Sequence, residues 1–308
     1  LKQPPTPPLP PLMTSPWLSQ QPALDAAATA GTRFAGQGVI VSGGAGGIGS
    51  AIVLRFLNDG AKVAIVDVDA EAGARVLEEL GALGLAAGVS FHECDIARRD
   101  ECFKVVQEAC GKLGRLHHLV NCAAVFISEG LTATEQDWQR TMAVNVMGPS
   151  FMAAACVSSM ELHSRTESCS ITNVSSISAH QVQPNRWTYG ASKGAINILT
   201  KDMALDLAER RIRVNSVSPG WTWSPEVAKA AVDGGRERWE PIWGRFSICG
   251  RLAELAEVAA AIVFLASKDA SFINATDLKV DGGYGAMSAE GSGDNSAFAP
   301  SSTFQQGS

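Results

Sequence analysis

Short runs of apolar residues alternate along the chain with longer stretches in which apolar residues recur every three or four positions. The short runs have the length of buried strands, and the longer stretches have the period of helices. Strands that alternate with helices form βαβ units, which place parallel strands in one sheet covered on both faces. The pattern predicts a single α/β domain with a doubly wound parallel sheet of about seven strands. The predicted strands lie near 38–41, 62–66, 89–94, 116–120, 170–174, 213–217 and 277–280.

Glycines crowd the turn after the first predicted strand, in the stretch VIVSGGAGGIG from Val39 to Gly49. A helical pattern follows, with apolar residues at Ile52, Leu54 and Phe56. Strand, glycine turn and helix together form a phosphate site, because glycine lets the backbone come close and the helix N-terminus offers free N–H groups. The alternative for a glycine cluster by itself is a plain turn.

An acidic residue, Asp67, ends the second apolar run about twenty residues after the glycines, where a dinucleotide site holds the adenosine ribose. A carboxylate there accepts hydrogen bonds from a free ribose 2′-hydroxyl and repels a 2′-phosphate. No Arg or Lys among residues 43–49 offsets that repulsion. The sequence therefore predicts NAD rather than NADP as the cofactor. The alternative for Asp67 is a residue of the turn that ends the strand.

Tyr189 and Lys193 lie four residues apart in WTYGASKGAINIL, a stretch with a helical period. Positions i and i+4 share one helical face, so the ammonium can sit beside the phenol. A neighbouring cation favours phenolate and lowers the pKa of a tyrosine toward working pH, which makes a usable general acid/base. The alternative is a tyrosine packed at a helix start beside a solvated lysine.

Taken in order, these motifs resemble those of the short-chain dehydrogenase/reductase family, and the likeness covers about residues 34–285. The family's TGxxxGxG turn appears with serine for threonine. Its NNAG stretch appears as NCAA from Asn121, so two of its four residues differ and the backbone there is more crowded. The resemblance implies a Rossmann-like fold and NAD-dependent oxidoreductase activity.

The resemblance carries the family's catalytic set onto Ser176, Tyr189, Lys193 and Asn145. It implies that Tyr189 exchanges a proton with the substrate hydroxyl, and that Lys193 lowers the phenol pKa and hydrogen-bonds the nicotinamide ribose. It also implies that Ser176 holds the substrate oxygen and that Asn145 supports a water linking Lys193 to solvent. Ser175 is the neighbouring serine to exclude. Turn or packing roles are the alternatives for each residue taken alone.

The family's cofactor contacts fall mainly at the carboxyl ends of the predicted strands. Asp95 corresponds to the adenine-contacting acid, and Ser224 to the hydroxyl that holds the nicotinamide amide, with Thr222 as its rival. The implied NAD-binding residues are Ser42, Gly43, Gly47, Ile48, Gly49, Asp67, Asp95, Ile96, Asn121, Ala123, Tyr189, Lys193, Pro219, Gly220, Thr222 and Ser224.

Composition excludes several other classes of protein. A hydrophobic fraction of 46% excludes disorder of the whole chain. A net charge of −6 without a Lys/Arg stripe argues against a nucleic-acid partner, and no apolar run reaches membrane-spanning length. Seven cysteines without paired spacing favour reduced thiols in the cytoplasm. No metal site is predicted, since His117 and His118 precede a buried strand as packing or turn residues do.

The two ends of the chain differ from the domain between them. Residues 1–22 hold eight of the fourteen prolines, and we predict a disordered Pro-rich leader over 1–33. A tail rich in Ser, Gly, Ala and Gln, over 287–308, is also predicted to be disordered. The NAD-binding catalytic domain is therefore 34–286, with a lid over the site at about 221–251.

The predicted helix at 141–162 is apolar nearly all round. A helix of this kind is buried on more than one side, so a partner subunit is expected to cover it. The family's usual dimer and tetramer helices are this one and the one that carries Tyr189. The expected assembly is a homodimer or homotetramer.

Tryptophans and arginines are combined in and around the predicted lid. Arginine forks bind carboxylate, sulfonate or phosphate, and tryptophan walls exclude water. We therefore predict a small polar or anionic substrate. The alternative is that the arginines form surface ion pairs with lid glutamates while the tryptophans pack the lid. The candidate substrate residues are Arg186, Trp187, Trp221 and Arg245.

The function predicted from these residues is hydride transfer between NAD and a secondary alcohol or ketone, with Tyr189 as general acid/base. The alternative is an NAD-binding scaffold or redox-sensing protein without turnover, although such a protein normally lacks Tyr189 or Lys193. A nucleotide-sugar epimerase or dehydratase uses the same pair, but it usually needs a larger C-terminal substrate domain than follows Pro219 here.

Overall fold

The computed structural model describes residues 31–288. The predicted tail beyond residue 288 and nearly all of the predicted leader lie outside the described residues. Residues 31–33 already contact the domain, since the Gly31 amide donates to the Asn58 carbonyl oxygen at 3.0 Å. Phe34 follows and is buried against Phe56, with the ring centroids 5.0 Å apart.

The strands of the described region are β1 (Gly38–Ser42), β2 (Lys62–Asp67), β3 (Val89–Glu93), β4 (His118–Asn121), β5 (Cys169–Val174), β6 (Ile212–Pro219) and β7 (Asp277–Val280). All are parallel and form one sheet in the order β3-β2-β1-β4-β5-β6-β7. The predicted doubly wound sheet is confirmed, and the strand bounds differ from those predicted by two residues at most.

The helices within residues 31–288 are α1 (Gly47–Asn58), α2 (Ala70–Ala82), α3 (Arg99–Leu113), α4 (Glu135–Met142), α5 (Gly148–Glu161), α6 (Trp187–Asp206), α7 (Pro225–Ala230), α8 (Gly235–Trp243) and α9 (Leu255–Ala266). Alternate residues of a strand point to opposite faces. Val39 and Val41 therefore enter one core with α1 and α9, whereas Ile40 enters a second core with α3 and α5.

The order of strands reverses at β1, which pairs with β2 on one side and with β4 on the other. The connections that leave β1 and β4 run to opposite faces, and a crevice opens between them at the carboxyl ends. Ser42 and Asn121, the last residues of these two strands, are register partners. The glycine turn and the NCAA stretch therefore lie side by side at this crevice.

One helix of the described region is long and apolar enough to cross a membrane by length and composition alone. It is the continuous run Glu135–Glu161, in which α4 and α5 are joined by a π-helical segment, Ala143–Met147. This differs from the expectation that no apolar run reaches such a length. Half of its apolar window is buried inside the domain, where α5 packs on α3 and α4 packs on α6, as in a core helix.

Candidate active site

Helix α6 carries Tyr189 and Lys193 in its first two turns, on the same face. Ser176 follows β5 at the N-cap of a single 3₁₀ turn, Ile177–Ala179, and its Oγ accepts from the Ser178 amide at 3.1 Å. The Ser176 hydroxyl also lies close enough to the Tyr189 phenol to lower its pKa. The predicted serine and tyrosine therefore meet at the carboxyl end of the sheet, beside the predicted lysine.

Lys193 is buried, and its Nζ donates to the Val174 carbonyl oxygen at 2.8 Å. The ammonium lies 5.6 Å from the centroid of the Tyr189 ring. Burial lowers the pKa of Lys193 to about 8, because the charged form loses more hydration than the neutral amine. The buried Ser175 hydroxyl donates to the Lys193 carbonyl oxygen at 3.2 Å, so Ser175 supports the helix and Ser176 faces the phenol.

The pKa of Tyr189 differs in direction from the sequence expectation. Burial raises this pKa, and the opposing effects of the Ser176 hydrogen bond and of the Arg186 charge are smaller than the effect of burial. The Lys193 ammonium lies near the same ring and donates to the Val174 carbonyl oxygen. The Arg186 charge opposes the effect of burial on this pKa.

Asn145 lies in the π-helical segment and is buried. Its Oδ1 accepts from the Val125 amide at 2.8 Å, while its Nδ2 donates to the Val125 carbonyl oxygen at 3.0 Å and to Ser192 Oγ at 3.1 Å. The side chain thus fixes the loop after β4 against α6, one residue from Lys193. Its predicted support of a water at Lys193 stays a prediction.

The glycine turn packs so closely on itself and on the NCAA stretch that two of its positions have no room for a side chain. A Cβ built on Gly43, where φ is +70°, would lie 2.6 Å from the backbone of Ala123, and one on Gly49 would lie 1.9 Å from the Gly43 carbonyl oxygen. The Asp67 carboxylate accepts from the Ala45 amide of this turn at 3.1 Å. Turn, helix α1 and Asp67 therefore form the kind of cradle that holds a pyrophosphate and an adenosine ribose.

The other residues of the glycine turn connect it to its surroundings. Ser42 is buried, and its Oγ accepts from the Ala123 amide at 3.5 Å. Ile48, in the first turn of α1, packs against the core. Gly47, at φ +51°, is open on the side that faces the lid, so its amide and that of Ile48 lie at the helix N-terminus.

The residues predicted to contact adenine form the edge of the crevice at β3. Asp95 accepts from the Ala97 amide at 3.1 Å and from Arg140 at 3.0 Å. Ile96 is buried and lies so close to Gly148 that a Cβ there would be 2.7 Å from its Cδ1. Asp95 is therefore held by α4 at this edge, and its contact to adenine stays a prediction.

The side chain of Asn121 is turned into the sheet, and its predicted contact to the cofactor stays a prediction. It is buried, and its Nδ2 donates to Asn173 Oδ1 at 2.9 Å and to the Pro149 carbonyl oxygen at 3.3 Å. These bonds connect β4 to β5 and α5 inside the sheet. The backbone of Ala123, which contacts the glycine turn, is the part of the NCAA stretch that borders the cradle.

The segment after β6 closes the crevice on its other side. Pro219 ends the strand, and a Cβ on Gly220 would lie 2.7 Å from the Asp281 backbone. The Thr222 hydroxyl donates to the Gly220 carbonyl oxygen at 3.1 Å, whereas the Ser224 hydroxyl accepts from the Val227 amide and caps α7. Both hydroxyls are buried here, and both remain candidates for the contact to the nicotinamide amide.

A family model described as enoyl-(acyl carrier protein) reductase matches residues 43–285 of the chain. The matched region includes the glycine turn, the tyrosine–lysine pair and the segment after β6. The chain belongs to the short-chain dehydrogenase/reductase family.

Curated and solved relatives agree with this family assignment. The chain is 35% identical to L-fucose dehydrogenase of Bos taurus over an alignment of 258 residues. This alignment covers 82% of this chain and 91% of that protein. A solved structure of ElxO with NADP bound is 28% identical, with a TM-score of 0.75 over 82% of this chain and 99% of its own. A 3-ketoacyl-(acyl-carrier-protein) reductase from Brucella melitensis complexed with NADH is also 28% identical, with a TM-score of 0.74 over the same shares. Members of this dehydrogenase/reductase family thus bind either nicotinamide cofactor.

The lid of this family member is held together mainly by its own aromatic residues. Trp221 stacks on Trp243 with centroids 5.4 Å apart, and Trp239 stacks on Trp243 at 4.9 Å. Arg236 pairs with Glu240 and Glu254. These contacts follow the alternative in which tryptophans pack the lid and an arginine forms ion pairs within it.

Of the four candidate substrate residues, Arg186 shares an aromatic contact with Tyr189. Its guanidinium carbon lies 4.2 Å from the centroid of Phe126, and Phe126 meets Tyr189 edge to face at 4.7 Å. Trp187 is 56% exposed, and Arg245 is exposed on the 3₁₀ turn that ends the lid. Trp221 is in the lid stack described above.

Three residues at the site were missed in the sequence. Phe126 lies in an irregular loop that gives no periodic signal, and the structure alone brings its ring to Tyr189. Glu226 follows Pro225 in the lid, and its Oε2 lies 3.8 Å from the position of a Cβ on Gly47. Cys122, inside the NCAA stretch, has a pKa that burial raises to about 12. Its place in a recognised motif was the one signal that pointed to it.

Proposed function

We propose that the protein catalyses NAD-dependent hydride transfer between a secondary alcohol and its ketone, with Tyr189 as general acid/base. The observation that carries this proposal is the Tyr189 phenol, with Ser176 and the buried Lys193 ammonium beside it, at the same sheet edge as the glycine cradle. A proton-transfer group and a dinucleotide site at one crevice are what hydride transfer to or from a carbinol requires.

When bound, the nicotinamide supplies the carbon that accepts or donates the hydride. In the oxidation direction, the Tyr189 phenolate takes the hydroxyl proton as the carbinol becomes a carbonyl. In reduction, the phenol returns that proton to the developing alkoxide. Ser176 holds the same oxygen by a hydrogen bond, which stabilises the charge that develops there. The Lys193 ammonium supplies a buried positive charge one helical turn from the phenol.

The dinucleotide fits the residues that are present, because the space beside Gly46 is open where a Cβ would lie and Asp67 presents a carboxylate to the turn. Asp67 supports NAD over NADP, since a carboxylate repels a 2′-phosphate. No Arg or Lys stands in the glycine turn to offset that repulsion. ElxO was solved with NADP and the Brucella melitensis reductase with NADH, so the preference of this chain rests on Asp67 itself.

The proposed substrate is small and polar or anionic. Arg186 forms no ion pair within residues 31–288 and shares an aromatic contact with Tyr189, and its guanidinium can bind a carboxylate or several hydroxyl groups. A relative named L-fucose dehydrogenase is consistent with a polar, hydroxylated substrate. Exposed apolar residues on the long helix, such as Met147, support the proposed homodimer or homotetramer.

The proposal is tested by NADH formation from purified protein at mildly alkaline pH. The substrates are matched sets of neutral polyols, hydroxy acids and apolar secondary alcohols, and the variants are Tyr189→Phe and Tyr284→Phe. We expect turnover of polar alcohols, a loss of about a thousandfold in Tyr189→Phe, and near-normal activity in Tyr284→Phe. If no alcohol is oxidised although NAD binds, the result would instead favour an NAD-binding scaffold or redox-sensing protein without turnover.

A further inference from the structure

The N-terminus of α1 lies at the glycine turn, on the side that faces the lid. Its N-cap, Gly46, has no side chain to cap the helix, and no acidic residue lies in the first turn of α1. The N–H groups of that turn therefore receive no anionic partner from their own helix, although they favour one. The space beside Gly46 is open where a Cβ would lie, so an anion can approach this helix end.

The lid presents a carboxylate to the same helix end. Gly47 is the first residue of α1, and a Cβ built on it would have two lid atoms as its nearest neighbours. They are the Pro225 Cδ at 3.6 Å and the Glu226 Oε2 at 3.8 Å. Glu226 thus brings a negative charge to the place where a dinucleotide in this cradle presents its pyrophosphate.

The charge of Glu226 is not offset by a neighbouring cation. Glu240 of the lid pairs with Arg236, whereas Glu226 forms no ion pair with any residue of 31–288. Its charge acts on the crevice, since it raises the pKa of both Tyr189 and Cys122. The side chain is exposed, so rotation about its own bonds can carry the carboxylate into solvent while α7 stays in place.

We infer that Glu226 repels the pyrophosphate of the cofactor and is the lid residue that limits the affinity of the protein for its dinucleotide. This inference rests on the proposed function, since it concerns the cofactor of that reaction. Two effects oppose binding. Like charges close together repel, and no Arg or Lys of residues 43–49 offsets the repulsion. The carboxylate also loses its favourable place at the N-terminus of α1 when a phosphate takes that place.

A structural role for Glu226 predicts a different result. Glu226 lies in the first turn of α7, where an acidic residue also stabilises its own helix. A substitution that acted only through α7 would alter the lid for every ligand alike. Repulsion instead acts on phosphate groups, so it should weaken binding of ADP and NAD and leave binding of adenosine unchanged. The charge of the ligand therefore separates the two roles.

The test measures Kd for NAD, ADP and adenosine by calorimetry at low ionic strength. Glu226→Gln removes the charge, and Glu226→Lys reverses it. The matched control is Glu237→Gln, because Glu237 is also exposed and lies in the first turn of the lid helix α8. We expect Kd for NAD and for ADP to fall about tenfold in Glu226→Gln and further in Glu226→Lys. Kd for adenosine should not change, and Glu237→Gln should bind all three ligands as the unsubstituted protein does.

Salt gives a second readout, because an exposed charge is screened by added ions. At about 1 M NaCl the screening length is ~3 Å, so the gain in Glu226→Gln should shrink to about twofold or less. Circular dichroism would check that each variant is folded. Equal Kd values for ADP in the unsubstituted protein and in both Glu226 variants overturn the inference. So does a change that is as large for adenosine as for ADP, or one that salt does not reduce.

The binding series is independent of turnover. If NAD binds but no alcohol is oxidised, the proposed reaction fails, whereas the Kd values for ADP still decide the role of Glu226. If ADP binds to neither the unsubstituted protein nor the Glu226 variants, the turn is not a pyrophosphate cradle, and the inference is overturned with it.

Discussion

The carboxyl and amino ends of the sheet differ in whether their ionisable side chains have ion-pair partners. At the carboxyl end, Lys193 is buried against a carbonyl oxygen, and Arg186 and Glu226 form no ion pairs within the described chain. At the amino end, Arg115 pairs with Glu167, and the same carboxylate accepts from His117 Nε2 at 3.1 Å. Around the Tyr189 phenol these charges have no ion-pair partner, whereas the charges at the amino end are matched; the Asp95–Arg140 pair lies at the outer edge of the carboxyl end.

At the amino end, the Arg213 guanidinium has hydrogen-bond acceptors on several sides. From β6 its guanidinium donates to the Leu265 carbonyl oxygen at 2.8 Å and to the Ser267 carbonyl oxygen at 3.2 Å, as well as to other groups nearby. These oxygens end α9 and have no partners inside the helix, so a cation there is favourable. Further acceptors of Arg213 are Ala266 O, Ile273 O and Ser168 Oγ.

Two histidines at the amino end, His117 and His118, have both ring nitrogens in hydrogen bonds. The ring nitrogens of His117 and His163 lie with Glu167 within 4.8 Å of one another, as in some metal sites. His117 Nδ1, however, accepts from the Gly38 amide at 3.2 Å, so Nε2 carries the proton and donates to Glu167. His118 is buried between Ser170 and Gln37, and burial lowers its pKa to about 3. The prediction of packing roles fits these contacts.

The difference between the two ends follows from what each charge does for the folded state. A matched charge satisfies backbone or carboxylate groups, and its removal leaves those groups without partners. A charge held without a partner in a crevice costs stability but remains able to act on a cofactor, a substrate or a neighbouring acid. Removing a cation should therefore destabilise the protein at the amino end and stabilise it at the carboxyl end.

The largest stability effect is expected at the amino end, for Arg213→Met. Methionine keeps the apolar stem but leaves several carbonyl oxygens at the end of α9 without donors. We expect a loss of about 3 kcal/mol in the free energy of unfolding, measured by urea titration. KM for the alcohol and for NAD should not change. Arg211→Met, two residues earlier on the exposed surface, removes the same charge and should cost less than about 0.5 kcal/mol. Equal losses in the two variants would contradict the comparison.

A second expected effect concerns the Asp67 carboxylate at the carboxyl end. Asp67→Asn keeps the shape of the side chain and removes its charge, so the repulsion of a 2′-phosphate is lost. We expect the ratio of kcat/KM with NADP to that with NAD to rise about a hundredfold, mainly through KM. The matched control is Asp69→Asn, because Asp69 caps α2 through its bond to the Ala72 amide and asparagine caps equally well. The interpretation of Asp67 is wrong if both variants shift the ratio alike.

Much of this architecture could be predicted because it is encoded locally. The strands are short apolar runs between turns, and the glycine turn and the tyrosine–lysine pair are contiguous motifs with fixed spacing. The predicted serine, tyrosine and lysine come together because parallel strands present their carboxyl ends at one edge. Even the choice of Ser176 over Ser175 follows from the spacing to Tyr189, and the bond of Ser175 to the Lys193 backbone agrees with it.

What could not be predicted depends on contacts between segments that are distant in sequence. Phe126 and Arg186 are sixty residues apart, and loop packing alone places one on the other. The direction of the Tyr189 pKa depends on how deeply the phenol is buried, which no spacing records. The buried bond of the Asn121 side chain to Asn173, on the neighbouring strand, is another contact that the motif did not indicate. Charge patterns in the lid also left open which arginine shares an aromatic contact with Tyr189.

The smallest effect tests the carboxyl end directly, with Lys193→Met. The folded-state pKa of Lys193 is about 8, below its usual value of 10.5, so at pH 7 the fold bears the cost of a buried charge. That cost is about 3 kcal/mol, and the Val174 carbonyl oxygen left without a donor offsets about half of it. We expect the variant to lose turnover but gain about 1–2 kcal/mol in the free energy of unfolding at pH 7.

The pH dependence of that gain identifies its cause. Between pH 8 and 10.5 the unfolded chain holds the lysine proton and the folded chain does not, so the unsubstituted protein becomes more stable as the pH rises. The advantage of Lys193→Met should therefore be constant below pH 8 and shrink above it. The control is Lys201→Met, on the exposed face of the same helix. It should not raise the free energy of unfolding at pH 7, and its stability relative to the unsubstituted protein should not change above pH 8. A Lys193→Met variant that is destabilised at pH 7 would show that this lysine, like Arg213, is held mainly for stability.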